Sequence, residues 1–120
     1  MLNLDTHILI YALIGDLTAS ERAVLSHNRW GISSIVLWEI AKLHQKRRLS
    51  FGLHTPQLLT VLQDIQIWDL SAAVCRNILA LDFSGDPADE LIAATSLTHG
   101  VPLVTRDQRI RVSKVIEFAT

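Results

Sequence analysis

Short apolar runs alternate with longer segments of helical periodicity along the chain. The helical segments are HILIYALIG, ended by its glycine Gly15, TASERAVLSH, SSIVLWEIAKL, TPQLLTVLQD, SAAVCRNILAL and DPADELIAATSLTHG. Several have recognisable ends: Thr18 and Glu21 form a capping-box pattern, Thr55 precedes a proline, and Gly100 follows the last helical residue. The runs of strand length are MLNLD, WGIS, IQIWDL, VPLVT and VIEF. Because strands that alternate with helices form parallel sheets covered on both faces, we predict an α/β fold: a three-layer α/β/α domain with a short central parallel sheet.

One helical segment, SSIVLWEIAKL, is apolar on nearly every face, and Glu39 interrupts it. A helix that is apolar all round is normally packed into an interior. Burying an isolated ionised carboxylate costs on the order of several kcal/mol unless it is paired or bound to a metal. We therefore expect a compensating partner for Glu39, either a metal centre or, more simply, a salt bridge to a distant lysine or arginine.

Further acidic residues fall where predicted strands end and where one helix begins. Asp5 ends the first strand, Asp107 follows the strand VPLVT, and Asp86 and Asp89 stand at the start of a helix. Ligands of open parallel sheets bind beyond the carboxyl ends of the strands. Each acid also has a simpler interpretation, because Asp86 and Asp89 suit a helix start and the other two suit turns.

Taken together with Glu39, these acids favour a divalent cation. Carboxylates that meet at one sheet edge repel one another, and Mg²⁺ and Mn²⁺ prefer hard oxygen ligands. Such an ion lowers the pKa of bound water and offsets charge on a phosphodiester. The five histidines are scattered rather than placed at zinc-like spacing, and the chain has neither a glycine-rich phosphate loop nor a G-x-S-x-G elbow.

Composition limits the remaining possibilities. A chain of 120 residues with 49% hydrophobic content suits one folded domain over residues 1–120. The net charge of −1 means that nucleic-acid binding must come from a local cluster, either 46–48 or the arginines at 106, 109 and 111. A single cysteine suits a reducing compartment, and no apolar run reaches the ~18–20 residues that cross a bilayer, so we expect a soluble cytoplasmic protein with no membrane partner.

The segments LDTHILIYAL, ISSIVLWEIAKL and GDPADELIAATSLTHGVPLVTRD, with a final short strand, follow the order of a PIN domain. More narrowly, the chain resembles the VapC-type toxin ribonucleases of type II toxin–antitoxin pairs, over essentially its whole length. The resemblance implies hydrolysis of RNA with Mg²⁺ or Mn²⁺ as cofactor. It also implies that Asp5 and Asp89 ligate the metal, while Glu39 and Asp107 complete the catalytic pocket, partly through water.

The same resemblance implies roles for neighbouring residues. Thr6 and Thr105 would orient carboxylates or phosphate through their hydroxyl groups. As basic side chains, Arg106 and Arg109, together with Lys46 to Arg48, would supply phosphate contacts that position RNA without reading its bases. Asp86 is either a helix cap or an acid at the edge of the site. Which acid accepts the proton of the attacking water, Glu39 or Asp107, stays open, as does the number of metal ions.

The resemblance extends to partners. Similar toxins form homodimers, and their antitoxins insert a segment near the acidic pocket. Residues 35–43 and 55–64 would offer apolar surface for either contact. Similar toxins often have an arginine directly after the acid that corresponds to Asp89, but this chain has Glu90 there, so one basic contact is missing.

Two alternatives belong to other functional classes. A phosphoacceptor receiver domain would use Asp69, but receivers need an adjacent acidic pair after the first strand, and Asp5 is followed by Thr6 and His7. They also need a lysine after the last strand, but VIEF is followed only by Ala119 and Thr120. The second alternative is a PIN fold without catalysis that only binds a partner, for which an Asp5→Asn change would be harmless.

Overall fold

Four short strands form the central sheet in the computed structural model, which describes residues 1–120. All neighbouring strands are parallel, and their order across the sheet is β3-β2-β1-β4. This architecture confirms the predicted α/β class. The strands are β1 (Leu2–Leu4), β2 (Trp30–Ser33), β3 (Gln66–Trp68) and β4 (Leu103–Val104).

Seven helices connect and flank these strands, with one 3-10 turn over Ile78–Ala80. The predicted capping box of Thr18 and Glu21 is present, and Gly15 and Gly100 end their helices with positive φ. None of the helices is long and apolar enough to cross a bilayer. The helices are α1 (Thr6–Ile14), α2 (Ala19–Ser26), α3 (Ser34–Gln45), α4 (Pro56–Asp64), α5 (Ala72–Asn77), α6 (Pro87–His99) and α7 (Gln108–Arg111).

The sheet is covered on both faces, as predicted. Successive residues of a strand point to opposite faces, and Leu2, Asn3 and Leu4 of β1 are all buried. Asn3 faces α6, where its Nδ2 donates to Ile92 O and to Ser96 Oγ, both at 2.9 Å. The core therefore continues through the sheet into a helical layer on each side.

The strand order places a switch point at the middle of the sheet. The chain builds outward from β1 to β2 and β3, and then returns so that β4 pairs with the other edge of β1. The connections leave the neighbouring strands β1 and β4 in opposite directions, which opens a crevice beyond their carboxyl ends. Asp5 and Thr105 are the residues that directly follow these two strands.

Several local predictions were wrong. The segment VIEF forms no strand: only Phe118 makes an isolated bridge to Leu103, because β4 itself is two residues long. The helix predicted over SAAVCRNILAL ends at Asn77 and continues as a 3-10 turn, and α7 was not predicted. Thr55 occupies an N-cap position, but its hydroxyl accepts from Gly52 N instead of capping α4.

Helix α3 is also less buried than its composition suggested. Val36 and Ile40 face the core, whereas the Trp38 side chain is 55% exposed. The helix therefore lies at the surface with one buried stripe. Glu39 is accordingly a half-buried carboxylate and not a fully buried one.

The contact of Gly31 with Trp68 gives a test of the sheet packing. A methyl group added to Gly31 would overlap the indole ring of Trp68, which is held on its other side by stacking on His99 at 5.1 Å between ring centroids. We expect Gly31→Ala to lower the free energy of unfolding by about 1–3 kcal/mol in urea denaturation. The double variant Gly31→Ala/Trp68→Leu should lose less than the sum of the two single changes, and simple additivity would contradict this packing.

Candidate active site

The first acid of the site is fixed by the junction of β1 and α1. Asp5 caps α1, where its Oδ1 accepts from Thr6 N at 2.8 Å. Its Oδ2 accepts from the Thr105 hydroxyl at 2.6 Å. Asp5 is buried, yet each oxygen keeps a further lone pair, because a carboxylate offers about four acceptor positions. The carboxylate is thus immobilised by its own helix and by the adjacent strand.

Thr105 joins two acids across the switch point. Its hydroxyl donates to Asp5 and accepts from Asp107 N at 3.1 Å. Asp107 in turn caps α7, where its Oδ1 accepts from Arg109 N at 2.9 Å. A single hydroxyl therefore sets the relative position of the acids that follow β1 and β4.

Thr6 connects Glu39 to the same cluster. The Thr6 hydroxyl donates to Glu39 Oε1, while the Thr6 backbone N–H holds Asp5. The two acids are 34 residues apart in sequence and come from different helices, yet one residue orients both. Glu39 Oε2 has no hydrogen-bond donor within the chain, and no lysine or arginine forms a salt bridge with Glu39.

The start of α6 supplies two further acids. Asp86 occupies the N-cap position before Pro87, but its side chain makes no capping hydrogen bond and it is exposed. Asp89 is the third residue of α6 and is half-buried. Helix N-termini favour negative charge, which offsets part of the repulsion between these carboxylates.

A cavity of about 370 Å³ unites these acids beyond the ends of β1 and β4. It contains Asp86 as well as the four acids that the resemblance assigned to the pocket. Sequence reasoning did not single out His7 or Tyr11, whose proximity depends on the first turns of α1. The lining residues are Asp5, His7, Tyr11, Glu39, Asp86, Asp89, Arg106, Asp107 and Arg109.

Burial and mutual repulsion make ionisation of the pocket unfavourable. Burial raises the pKa of Asp5, opposed by the hydrogen bonds from Thr105 and Thr6. Burial likewise raises the pKa of Glu39, opposed by the Thr6 hydroxyl. Burial together with the charges of four neighbouring acids raises the pKa of Asp89 from its ordinary value of 3.8 to about 6. The site therefore holds more negative charge than its surroundings compensate.

Arg109 provides part of the missing positive charge. Its Nη2 lies 3.6 Å from Asp89 Oδ2 and 3.4 Å from Asp107 Oδ2, at the rim of the cavity. The Arg109 side chain is 66% exposed, so solvent weakens both ion pairs. Arg109 therefore compensates the negative charge of Asp89 and Asp107 only in part.

The guanidinium of Arg106 is already bound within the protein and is not free for a phosphate contact. Its Nε donates to Glu21 Oε2 at 2.8 Å and its Nη2 to Glu21 Oε1 at 2.6 Å, and the guanidinium lies 4.0 Å over the Tyr11 ring. The same Nη2 also donates to Asp16 O. Glu21 was recognised only as half of a capping box, because nothing in the sequence relates it to a residue 85 positions away.

The donor set fits a hydrated divalent cation. No group of three histidine, cysteine, aspartate or glutamate side chains is close enough to enclose a metal ion. Mg²⁺ does not require such a cage, since it keeps several waters and is held by one or two carboxylates. Carboxylates with raised pKa values around a cavity of this volume, one of them with an unused oxygen, supply the hard ligands and the charge that such an ion neutralises.

Comparison with known proteins agrees with this architecture. The family model described as PIN domain matches residues 3–115. Ribonuclease VapC22 of Mycobacterium tuberculosis is 31% identical over 96 residues, which cover 78% of this chain and 74% of that protein.

Solved structures show the same fold. VapBC2 from Rickettsia felis bound to a promoter DNA fragment matches with a TM-score of 0.70 and 23% identity over 98% of this chain and 97% of its own. A toxin–antitoxin complex from Klebsiella pneumoniae matches with a TM-score of 0.66 and 23% identity, over 92% of this chain and 89% of its own. FitAcB from Neisseria gonorrhoeae matches with a TM-score of 0.70 and 20% identity, over 100% of this chain and 97% of its own.

Asp89 gives the metal-free protein a specific pH dependence. Because its pKa is about 6 in the folded chain and 3.8 ordinarily, the folded state binds the proton more tightly. The free energy of unfolding should therefore fall as the pH rises from about 4 to about 6. In EDTA at pH 7, Asp89→Asn should be more stable than the wild type by about 1–2 kcal/mol, and this gain should vanish near pH 4. Asp64→Asn, an exposed acid outside the pocket, is the control; a loss of stability for Asp89→Asn at pH 7 would contradict the assignment.

The pair of Arg106 and Glu21 has the opposite pH dependence. The Arg106 hydrogen bond, as the largest cause, lowers the pKa of Glu21 from 4.5 to about 2, so the stabilisation is present above pH 4.5 and lost as the pH falls toward 2. We expect Arg106→Ala to cost about 1–3 kcal/mol at pH 7 in urea denaturation, and progressively less in acid. Arg29→Ala removes an exposed arginine as a control. A cost that does not change between pH 7 and pH 2 would mean that the pair is not its cause.

Proposed function

The chain belongs to the PIN-domain family, and we propose that it is a metal-dependent endoribonuclease acting as the toxin of a type II toxin–antitoxin pair. The observation that carries the proposal is the convergence of five carboxylates in one cavity beyond β1 and β4, where Asp89 has a pKa of about 6. Strongly shifted pKa values in a cleft are typical of functional sites. The name of the M. tuberculosis relative, a ribonuclease, supports RNA as the substrate class.

Asp5 and Asp89 are the residues that would hold Mg²⁺ or Mn²⁺, with Glu39 and Asp107 acting through water. When bound, the ion lowers the pKa of water and neutralises charge on the phosphate oxygens. Asp5 suits this role because Thr6 and Thr105 fix its orientation while leaving a lone pair on each oxygen. Asp89 suits it because burial and the charges of four neighbouring acids raise its pKa to about 6, and a bound cation would relieve both.

Glu39 is the better candidate for the proton acceptor. Both oxygens of Asp107 interact with Arg109, one through its backbone N–H and one through its guanidinium. Glu39 binds Thr6 through Oε1 alone, so Oε2 is free to accept a proton from an attacking water. A raised pKa also makes Glu39 a stronger base than an ordinary glutamate.

Arg109 is the proposed phosphate contact at the rim. Its guanidinium is exposed and bound only loosely to Asp89 and Asp107, so it can pair with a phosphate oxygen. Arg106 already donates to Glu21 and Asp16, and its role in substrate binding would be to hold the wall of the pocket that includes Tyr11. Both assignments concern positioning of RNA and not reading of its bases.

An antitoxin is the proposed protein partner. One of the similar structures is a toxin–antitoxin complex by name. A basic side chain inserted into the acidic cavity would neutralise the same charges that the cation neutralises, and would thereby block it. We further propose a homodimer and action on RNA in the cytoplasm.

Cleavage of a mixed RNA pool tests the proposed function. Purified protein with Mg²⁺ or Mn²⁺ should cut RNA, EDTA should abolish cutting, and Asp5→Asn and Glu39→Gln should each reduce the rate by about 100-fold or more. Asp64→Asn keeps the same change of charge outside the pocket and should cut like the wild type. Calorimetric titration with Mn²⁺ should show binding that is weakened in Asp5→Asn.

Equal cutting by wild type and both pocket variants would indicate a contaminating nuclease and refute the site. Folded wild-type protein that neither cuts RNA nor binds Mn²⁺ would instead favour the alternative of a PIN fold that only binds a partner.

A further inference from the structure

A second cavity lies beside the acidic one, and basic as well as acidic side chains line it. Its volume is about 390 Å³, and Glu39 and Asp86 line both cavities. The second cavity is also lined by Trp38, Lys42, Lys46 and Arg48. We call these four residues the basic groove. The acidic cavity and this groove are therefore neighbours that share two lining residues.

The cations of the groove are not neutralised by the protein. Lys42, Lys46 and Arg48 are all exposed, and none forms a salt bridge with a carboxylate. Lys42 donates only to Gln45 Oε1, at 3.0 Å. In a chain with a net charge of −1, three unpaired cations in one groove are a local concentration of positive charge, which is the electrostatic requirement for binding a phosphate backbone.

Trp38 adds an aromatic surface to the same groove. Its side chain is 55% exposed, and its indole stacks on no other aromatic ring of the chain. Residues four apart lie on one face of a helix, so Trp38 and Lys42 share a face of α3, about 6 Å apart along its axis. Lys46 follows at the C-cap of the same helix. An exposed aromatic ring in line with unpaired cations is the combination by which proteins bind single-stranded nucleic acid.

We propose that the basic groove binds a single-stranded segment of the RNA substrate next to the bond that is cut. Trp38 stacks on one unpaired base, and Lys42, Lys46 and Arg48 contact the phosphates that lead away from the acidic cavity. Paired bases do not offer a free face to Trp38, so the groove selects unpaired RNA over duplex RNA. This inference rests on the proposed function, because it assigns a substrate path to the same site.

Binding measured without catalysis tests the groove directly. Fluorescence anisotropy of a labelled single-stranded RNA in EDTA, where metal-dependent cutting is suppressed, gives the dissociation constant. We expect Trp38→Ala to weaken binding about tenfold and Trp38→Phe to retain most of the affinity. Lys42→Ala and Lys46→Ala should each reduce the slope of log K against log salt by about 0.7.

Matched controls separate the groove from general effects on the surface. Leu79→Ala removes an exposed apolar side chain, and Lys114→Ala removes an exposed cation, both outside the two cavities. Both should bind RNA like the wild type. Duplex RNA of the same sequence should bind more weakly and show no dependence on Trp38. Wild-type protein that does not bind single-stranded RNA, or Trp38→Ala that binds as the controls do, overturns the proposal.

Cleavage in Mg²⁺, measured on the same variants, distinguishes this proposal from the proposed function. If the groove variants bind RNA weakly while the wild type cuts nothing, the groove stands and the nuclease assignment fails. If the wild type cuts, Asp5→Asn does not, and the groove variants equal the wild type, the nuclease stands and the groove is refuted. A change in oligomeric mass for Trp38→Ala in sedimentation equilibrium, with unchanged RNA affinity, would show that a second copy of the chain covers Trp38, and would also refute the groove.

Discussion

Repulsion between carboxylates at the carboxyl ends of β1 and β4 is the constraint that organises this molecule. Five acids share one cavity, where burial, and after it the charges of the neighbouring acids, raises the pKa of Asp89 to about 6. The fold opposes this cost with hydrogen bonds that fix the acids without neutralising them. Thr105 holds Asp5 and Asp107, and Thr6 holds Asp5 and Glu39. A site that is rigid and undercompensated is suited to binding a cation that supplies the missing charge.

Two kinds of cationic side chain surround the cavity: one is firmly paired with an acid, and the others are exposed. Arg106 is committed to Glu21 and so connects α2 to the segment that follows β4. Arg109 and the three cations of the basic groove are exposed and held loosely or not at all. Exposed positive charge thus lines both the acidic cavity, through Arg109, and the neighbouring basic groove.

Much of the fold could be predicted from local patterns, because caps and periodicity act over a few residues. The capping box of α2, the glycine that ends α6 and the proline at the start of α4 are where the sequence placed them. The predictions that were wrong concern segments whose structure depends on contacts with neighbouring elements. VIEF has strand composition but pairs with a two-residue strand, and α3 has core composition but only one buried stripe. Exposure of Trp38 has no local signal, since it depends on what the fold places opposite α3.

The sequence alone determined the residue types of the site: acids at strand ends, without histidine clusters or phosphate loops, which predict a divalent cation. The tertiary structure alone decided which threonine holds which acid and that Arg106 pairs with Glu21. It also decided that Lys42 and Lys46 line the same cavity as Glu39. The reason is physical. Residue type fixes what a side chain can bind, but partners 85 or 100 positions apart are selected by chain topology, about which local sequence carries no information.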